Sequence, residues 1–147
     1  MPVRFQLVID CADPDRLARF WAVALDYELA PPPAGFDTWN DYYRDLGLPE
    51  EFMRDGADRV SDPRGQGPSI WFQVVPESKS IKNRLHIDVH ASGERSDPIE
   101  TRRRRVGAKA GQLVGLGATI VDDSYEEGAD HYAVAMRDPE GNEFDIN

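Results

Sequence analysis

The stretch Asp10-Cys-Ala-Asp-Pro-Asp-Arg-Leu-Ala-Arg-Phe-Trp21 marks the passage from one structural element to the next. Over Val3–Cys11, which overlaps the start of this stretch, apolar and polar residues alternate with the period of a half-buried strand. Asp13 and Pro14 then indicate a helix start, because aspartate caps free backbone N–H groups and proline suits the first helical position. Apolar residues recur at helical spacing after that: Leu17, Phe20, Trp21, Ala24 and Leu25. We predict a strand followed by an amphipathic helix.

A second copy of this unit begins at Arg84–His90, where apolar residues alternate with a polar set. The polar residues of this strand are His86, Asp88 and His90. A helix near Pro98–Leu116 follows and ends at Gly117. Further strands are predicted at 117–121, 131–137 and 142–147, with a turn signal at 138–141, and Ser69–Val75 is a buried strand of the first copy. The repeated pattern predicts an α+β fold made of two similar modules.

The first copy contains an insert, at about 31–68, that the second copy lacks. Pro31–Gly35 forms a stiff connection, and Asp37 or Thr38 can cap a short helix after it. That helix carries aromatic residues at helical spacing: Trp39, Tyr42 and Tyr43. Such a stripe serves internal packing or ligand recognition, and the sequence leaves both interpretations open.

The chain has 147 residues and a formal net charge of −10, which fits one globular domain and argues against nucleic acid as a partner. It contains neither an apolar run long enough for a membrane helix nor a secretory signal, so we expect a cytoplasmic protein. Cys11 is the sole cysteine and is expected to be a buried small hydrophobe. The basic run Arg102–Arg105, with Lys109, is either a solvated helix segment that pairs with acidic residues or a patch for an anion or partner.

Three motifs together resemble the vicinal oxygen chelate superfamily, and within it the glyoxalase-like domain proteins. They are Asp10–Trp21, Asn83–Asp88 and Asp138-Pro-Glu-Gly-Asn-Glu-Phe144. The resemblance spans essentially the whole chain and implies one domain, 1–147, with modules of about 1–82 and 83–147. It implies two βαβββ modules whose curved sheets form a cup, with a helical insert in the first. Ligands, and often a divalent metal, lie on the concave face in that superfamily.

The resemblance also implies four metal-ligand positions, one on the first strand and one on the last strand of each module. They correspond to Gln6, Gln73, His86 and Asp145. Metalloenzymes of the superfamily such as glyoxalase I typically carry His or Gln, Glu, His and Glu at these positions. The two glutamines here are neutral and weak donors, so the expected cofactor is either none or a single Ni, Co, Zn, Mn or Fe ion.

Gln73 stands where glyoxalase I has a glutamate that also serves as the catalytic base. An amide does not accept a proton at neutral pH, so we do not expect true glyoxalase I activity. His86 is then either a metal ligand or a hydrogen-bonded polar residue of the cup.

Two functions from different classes follow. The first is a metal-free protein that binds a small organic molecule, as bleomycin-resistance proteins do, with these pocket residues: Asp10, Trp39, Tyr42, Trp71, His86, Asp88, His131 and Glu143. The second is a lyase or isomerase in which a metal polarises a substrate oxygen and Asp88, Asp10 or Glu143 is the base. A structural module that docks a partner through the basic helix is a third option. The resemblance also implies a homodimer.

Overall fold

Both copies of the predicted unit fold as a four-stranded sheet with one long helix, in a computed structural model that describes residues 1–147. The chain divides into two compact units, Met1–Lys79 and Ser80–Asn147, which we call the first and the second module. The first contains β1 (Gln6–Cys11), α1 (Pro14–Leu25), β2 (Glu28–Leu29), α2 (Trp39–Asp45), a 3₁₀ helix (Glu50–Phe52), β3 (Arg59–Ser61) and β4 (Ser69–Val74). The second contains β5 (Asp88–Val89), α3 (Ile99–Val114), β6 (Thr119–Asp122), β7 (Val134–Arg137) and β8 (Glu143–Ile146).

Both sheets have the strand order of a βαβββ module, β1-β4-β3-β2 in the first and β5-β8-β7-β6 in the second. The first and last strands of each module run parallel, and the other neighbours are antiparallel. The predicted α+β fold with two βαβββ modules is therefore confirmed.

One face of each sheet packs under its long helix and the other face is open. The Asp13 carboxylate caps α1 by accepting the Arg16 backbone N–H at 3.1 Å, and Phe20 and Trp21 are buried where α1 packs on β3 and β4. Alternate residues of β4 complete this core: Ile70, Phe72 and Val74. Burial of each large apolar side chain contributes about 1.5–3 kcal/mol, so the helix-covered faces supply most of the stability.

The turn between β7 and β8 is held by Asp138, which is 3% exposed. Its Oδ1 atom accepts the backbone N–H groups of Glu140 at 2.9 Å and Asn142 at 3.0 Å, and its Oδ2 atom accepts the Asn142 side-chain amide at 2.9 Å. Gly141 adopts a φ of 91°, which a side chain would strain. The motif at 138–144 therefore fixes the entry into the last strand.

The basic run Arg102–Arg105 on α3 makes contacts within its own module. Arg102 is buried, donates to the Asp97 carbonyl at 2.9 Å and pairs with the Asp130 carboxylate. The guanidinium of Arg103 lies 3.7 Å from the ring centre of Tyr125. These contacts attach two loops to the helix, the loop before α3 and the loop between β6 and β7. They favour the structural interpretation of the run.

The strand predicted at Arg84–His90 is much shorter in the structure, because β5 covers only Asp88–Val89. The hydrogen bonds with β8 begin where the Asp145 N–H donates to the Ile87 carbonyl at 3.0 Å. Leu85, expected to be buried, is 84% exposed. An alternating sequence forms a strand only where a neighbouring strand is available to pair with it.

Three other element boundaries differ from the sequence prediction for a similar reason. The predicted insert of 31–68 contains β3, so the segment outside the sheet is 30–58. The first strand begins at Gln6, since its partner strand begins at Ser69, next to a proline that lacks an N–H group. His131 precedes β7 instead of starting it. The expected burial of Cys11 is confirmed.

Replacement of Asp138 by alanine tests the role of this turn. We expect Asp138→Ala to lower the free energy of unfolding by about 2–4 kcal/mol, because two backbone N–H groups and one amide lose a charged acceptor in a buried place. Urea denaturation measures this, with the exposed Asp123→Ala as control at about 0.5 kcal/mol or less. Equal stability of the two variants would contradict this account of the turn.

Candidate functional site

The open face of the second sheet carries a cluster of polar side chains where β5 meets β8. Asp88 and Asp145 are directly paired in the parallel register of these strands, so both side chains point to the same face. His86 precedes Asp88 by two residues and points the same way. Phe144 and Ile146, the neighbours of Asp145, are buried on the opposite face.

Three potential ligand atoms meet in this cluster. His86 Nε2 lies 3.3 Å from Asp88 Oδ1 and 3.7 Å from Asp145 Oδ2, and all three atoms lie within 4.8 Å of one another. The side chains are 39–45% exposed, so a solute reaches them from the open face. An imidazole with two carboxylates has two chemical uses: ion pairing when the histidine is protonated, and coordination of a divalent metal when it is neutral.

Two further residues extend the cluster along the sheet. The Asn147 side-chain amide is 3.5 Å from Asp88 Oδ2, and His90 Nδ1 is 2.6 Å from Asn147 Oδ1. His90 therefore contacts Asn147 on the far side of Asp88. The two histidines that flank β5 have different neighbours: His86 lies near two carboxylates, and His90 lies against an amide.

Glu143, predicted as a pocket residue and candidate base, has a structural contact. Its Oε2 atom accepts the backbone N–H of Asn83 at 2.9 Å, and its carbonyl oxygen lies 3.5 Å from the Asn83 side-chain amide. This clamp holds the segment before β5 against β8. Because His86 lies in that segment, Glu143 helps to position it.

In the first module the register separates the two predicted glutamine ligands. Gln6 is opposite Ser69, and its amide donates to the Ser69 hydroxyl at 3.2 Å. Gln73 is opposite Asp10, four positions further along the same strand pair. Four positions correspond to about 13 Å along a strand. This register places Gln6 and Gln73 four positions apart along the strand pair, and their joint binding of one ion stays a prediction.

Comparison of the two strand pairs shows which first-module residue corresponds to His86. In the second module His86 stands two residues before the partner of Asp145. In the first module the residue two before the partner of Gln73 is Val8, and Asp10 takes the place of Asp88. Val8 offers no donor atom, so the first module lacks the imidazole of the second.

The first module instead has an apolar pocket of about 210 Å³ on the open face of its sheet. Trp71 and Gln73 of β4 line it from below, and the insert supplies the other walls. The lining residues from the insert are Tyr43, Leu48, Pro49, Phe52 and Met53. Gln73 is the single residue of this lining with an amide side chain, so the pocket is a largely apolar space with three aromatic rings and one polar side.

Trp39 and Tyr42, which the sequence placed in the ligand pocket, pack beside it. Trp39 is buried, donates its indole N–H to the Ala30 carbonyl at 3.0 Å and stacks on Tyr43 with ring centres 5.9 Å apart. Tyr42 is half-buried against Trp39. These rings fix the insert over the sheet, and their direct contact with a ligand stays a prediction.

A buried hydrogen bond between Tyr43 and Asp58 anchors the pocket wall. The Tyr43 hydroxyl donates to Asp58 Oδ2, and Asp58 is only 9% exposed. Burial, followed by the Asp58 carboxylate, raises the pKa of Tyr43 far above its usual value. Burial also raises the pKa of Asp58, although Tyr43 and the Arg59 guanidinium oppose this shift.

The remaining predicted pocket residues are exposed. Asp10 lies next to Gln73 on the open face of the first sheet, and His131 lies in the loop before β7. Sequence reasoning missed Leu48, Phe52 and Met53. Apolar residues on both sides of Pro49, a residue type that favours turns, were the signal that could have indicated them.

Comparison with known proteins agrees with this architecture. The family model of the Glyoxalase-like domain matches residues 6–147. The chain belongs to the glyoxalase-like domain family. Among curated proteins, none matches this sequence.

Solved structures show the same glyoxalase-like fold at low sequence identity. A hypothetical protein from S. aureus is 12% identical with a TM-score of 0.61, covering 99% of this chain and 93% of that one. A glyoxalase/bleomycin resistance protein/dioxygenase family enzyme from Burkholderia phytofirmans PsJN is 19% identical with a TM-score of 0.57, covering 97% and 94%. The fosfomycin resistance protein FosX from Listeria monocytogenes is 9% identical in its tetragonal form, with a TM-score of 0.61, covering 99% and 90%.

No helix of the chain has both the length and the apolar character needed to cross a bilayer.

Removal of the Tyr43 hydroxyl tests the anchor of the pocket wall. We expect Tyr43→Phe to destabilise the protein by about 1–3 kcal/mol at neutral pH, because the Asp58 carboxylate loses its donor. Burial raises the pKa of Asp58 in the folded protein. Ionisation of this carboxyl therefore lowers the free energy of unfolding as the pH rises from the usual aspartate pKa to the raised one. The hydroxyl offsets part of this cost, and the penalty of Tyr43→Phe should shrink at acidic pH.

Urea denaturation between pH 4 and pH 8 measures this dependence. Tyr42→Phe is the matched control, because Tyr42 is a half-buried neighbour in the same helix. A penalty that is the same at both pH values would contradict the role assigned to Asp58.

Proposed function

We propose that this glyoxalase-like protein binds a small, flat, largely apolar organic molecule in the pocket of the first module. The observation that carries this proposal is the closure of an aromatic space over Trp71 and Gln73 by the insert. Side chains such as Phe52 and Trp71 offer broad apolar contact, and one amide offers a directional hydrogen bond. A pocket with those properties selects ligands by shape first and by one polar group second.

The volume of the pocket and the net charge of the protein restrict the class of ligand further. A volume of about 210 Å³ is below the roughly 300–1,000 Å³ that is typical of drug-sized ligands, so the bound group is small or is one part of a larger molecule. The net charge of −10 disfavours anions near the surface. Neutral and cationic aromatic compounds are therefore the expected class.

Binding of three simple aromatic probes tests the proposal. We expect indole and benzamidine to bind more tightly than benzoate, in a titration followed by tryptophan fluorescence and by NMR chemical-shift changes. Trp71→Ala and Phe52→Ala should weaken binding of indole at least about tenfold, since each removes an aromatic wall of the pocket. Phe5→Ala, which removes an exposed phenylalanine elsewhere in the module, is the control and should bind as the wild type does.

Unchanged indole affinity in both pocket variants would reject this pocket as the binding site. Circular dichroism of each variant separates a loss of binding from a loss of fold.

A second candidate function is a divalent-metal-dependent lyase or isomerase, and the cluster of His86 with two aspartates favours it. A FosX variant from Listeria monocytogenes was solved with Mn(II) and a dihydroxypropylphosphonic acid, which supports testing a metal here. His86 and Asp145 would hold the ion, which supplies Lewis-acid polarisation of a substrate oxygen when bound. Gln73 is unable to accept a proton, so the reaction is not that of glyoxalase I.

We also propose that the protein is a homodimer. Light scattering coupled to size-exclusion chromatography distinguishes a particle of twice 16.5 kDa from a monomer of 16.5 kDa.

A further inference from the structure

We infer that the second module alone holds a divalent transition-metal ion, through His86 Nε2, Asp88 and Asp145, without a ligand from the glutamines of the first module. This inference rests on the second candidate function. It adds a ligand, Asp88, that lies outside the four positions implied by the family resemblance. It also removes Gln6 and Gln73 from the site.

The geometry of the three donor atoms suits one ion. Metal–ligand distances of about 2.0–2.2 Å place adjacent donor atoms roughly 3.0–3.5 Å apart in octahedral or tetrahedral coordination. The distances from His86 Nε2 to Asp88 Oδ1 and Asp145 Oδ2 are 3.3 and 3.7 Å. Small side-chain rotations close the remaining difference. The three side chains are only about half-buried, so such rotations disturb no core packing.

The charge and chemistry of the donor set also suit a divalent ion. Two ionised carboxylates balance the charge of M²⁺, whereas the set of two glutamines, His86 and Asp145 contributes a single negative charge. Imidazole nitrogen together with carboxylate oxygen is a donor combination for Mn, Fe, Co, Ni and Zn. Calcium and magnesium prefer oxygen donors alone, so the imidazole disfavours them.

The two modules of the chain provide an internal contrast. Both sheets place an aspartate at the same register position, Asp10 in the first and Asp88 in the second. Beside it the first module has Val8 and Gln73 where the second has His86 and Asp145. The second module therefore carries the imidazole and the second carboxylate that the first lacks, although the backbone pattern is the same.

Residues around Asp88 orient it toward the cluster. The Asn147 amide lies 3.5 Å from Asp88 Oδ2, the oxygen that does not face His86. His90 Nδ1, 2.6 Å from Asn147 Oδ1, fixes the orientation of this amide. One carboxylate oxygen of Asp88 is therefore directed at His86, and the other faces an amide donor, as is usual for residues that support metal ligands.

Titration of the metal-stripped protein with CoCl₂ and MnCl₂ tests this inference, with affinity from calorimetry and the visible Co(II) spectrum as a report on the donor set. We expect Asp88→Asn to weaken Co(II) binding at least about tenfold and to change the spectrum. The matched control Asp123→Asn removes the same charge from an exposed loop and should stay within about threefold of wild type. The double variant Gln6→Ala/Gln73→Ala should also stay within about threefold in metal affinity.

The outcomes are distinguishable. Co(II) affinity that Asp88→Asn leaves within threefold of wild type overturns the inference, and so does a tenfold loss in the double glutamine variant. Either result leaves a metal-dependent function standing with another ligand set. Failure of the wild type to bind Co(II) or Mn(II) overturns the metal-dependent function together with the inference, and leaves the pocket of the first module to be tested by its own probes.

Discussion

Parallel pairing between the first and last strands of each module determines which candidate residues meet. In the second module this register brings Asp88 beside Asp145, with His86 one side-chain repeat earlier on the same face. In the first it brings Asp10 beside Gln73. A one-residue slip of any of these strands would turn its own open-face side chains into the helix-covered core. The burial of the alternate residues on the helix-covered face therefore fixes the register, and the register keeps these polar side chains on the open faces.

The two modules use the same scaffold for different purposes. In the first, the open face supports an apolar pocket, and the insert covers it because the Tyr43 ring is fixed by Trp39 and by the buried Asp58. In the second, no comparable insert is present and the open face displays donor atoms. The two modules thus share a strand order but present different groups on their open faces.

Much of the fold was predictable because its signals are local. The Asp13 cap, the helical spacing of α1 and the turn at Asp138 depend on residues a few positions apart. The two-residue β2 and three-residue β3 were not predictable, because pairing with neighbours defines them, and not their own composition.

The site was predictable only in part for the same reason. His86 and Asp88 follow from alternation within a predicted strand, Asp145 follows from the family resemblance, and the structure brings the three together. Strand register is a long-range property, so alternation alone did not reveal that Val8, and not Gln6, corresponds to His86. The pocket wall at Phe52 depends on how the insert folds back, which its sequence does not encode locally.

The contacts of the arginines on α3 have an electrostatic consequence for the whole protein. Arg102 pairs with Asp130 and Arg105 with Asp97, while Arg103 covers a tyrosine ring, so the densest group of positive charge is neutralised or partly shielded close to its own helix. The net charge of −10 then determines the sign of the field at a distance. Such a field accelerates the approach of cations and slows that of anions, over a range of about 8 Å at physiological ionic strength. Salt concentration should therefore alter how fast a charged ligand arrives.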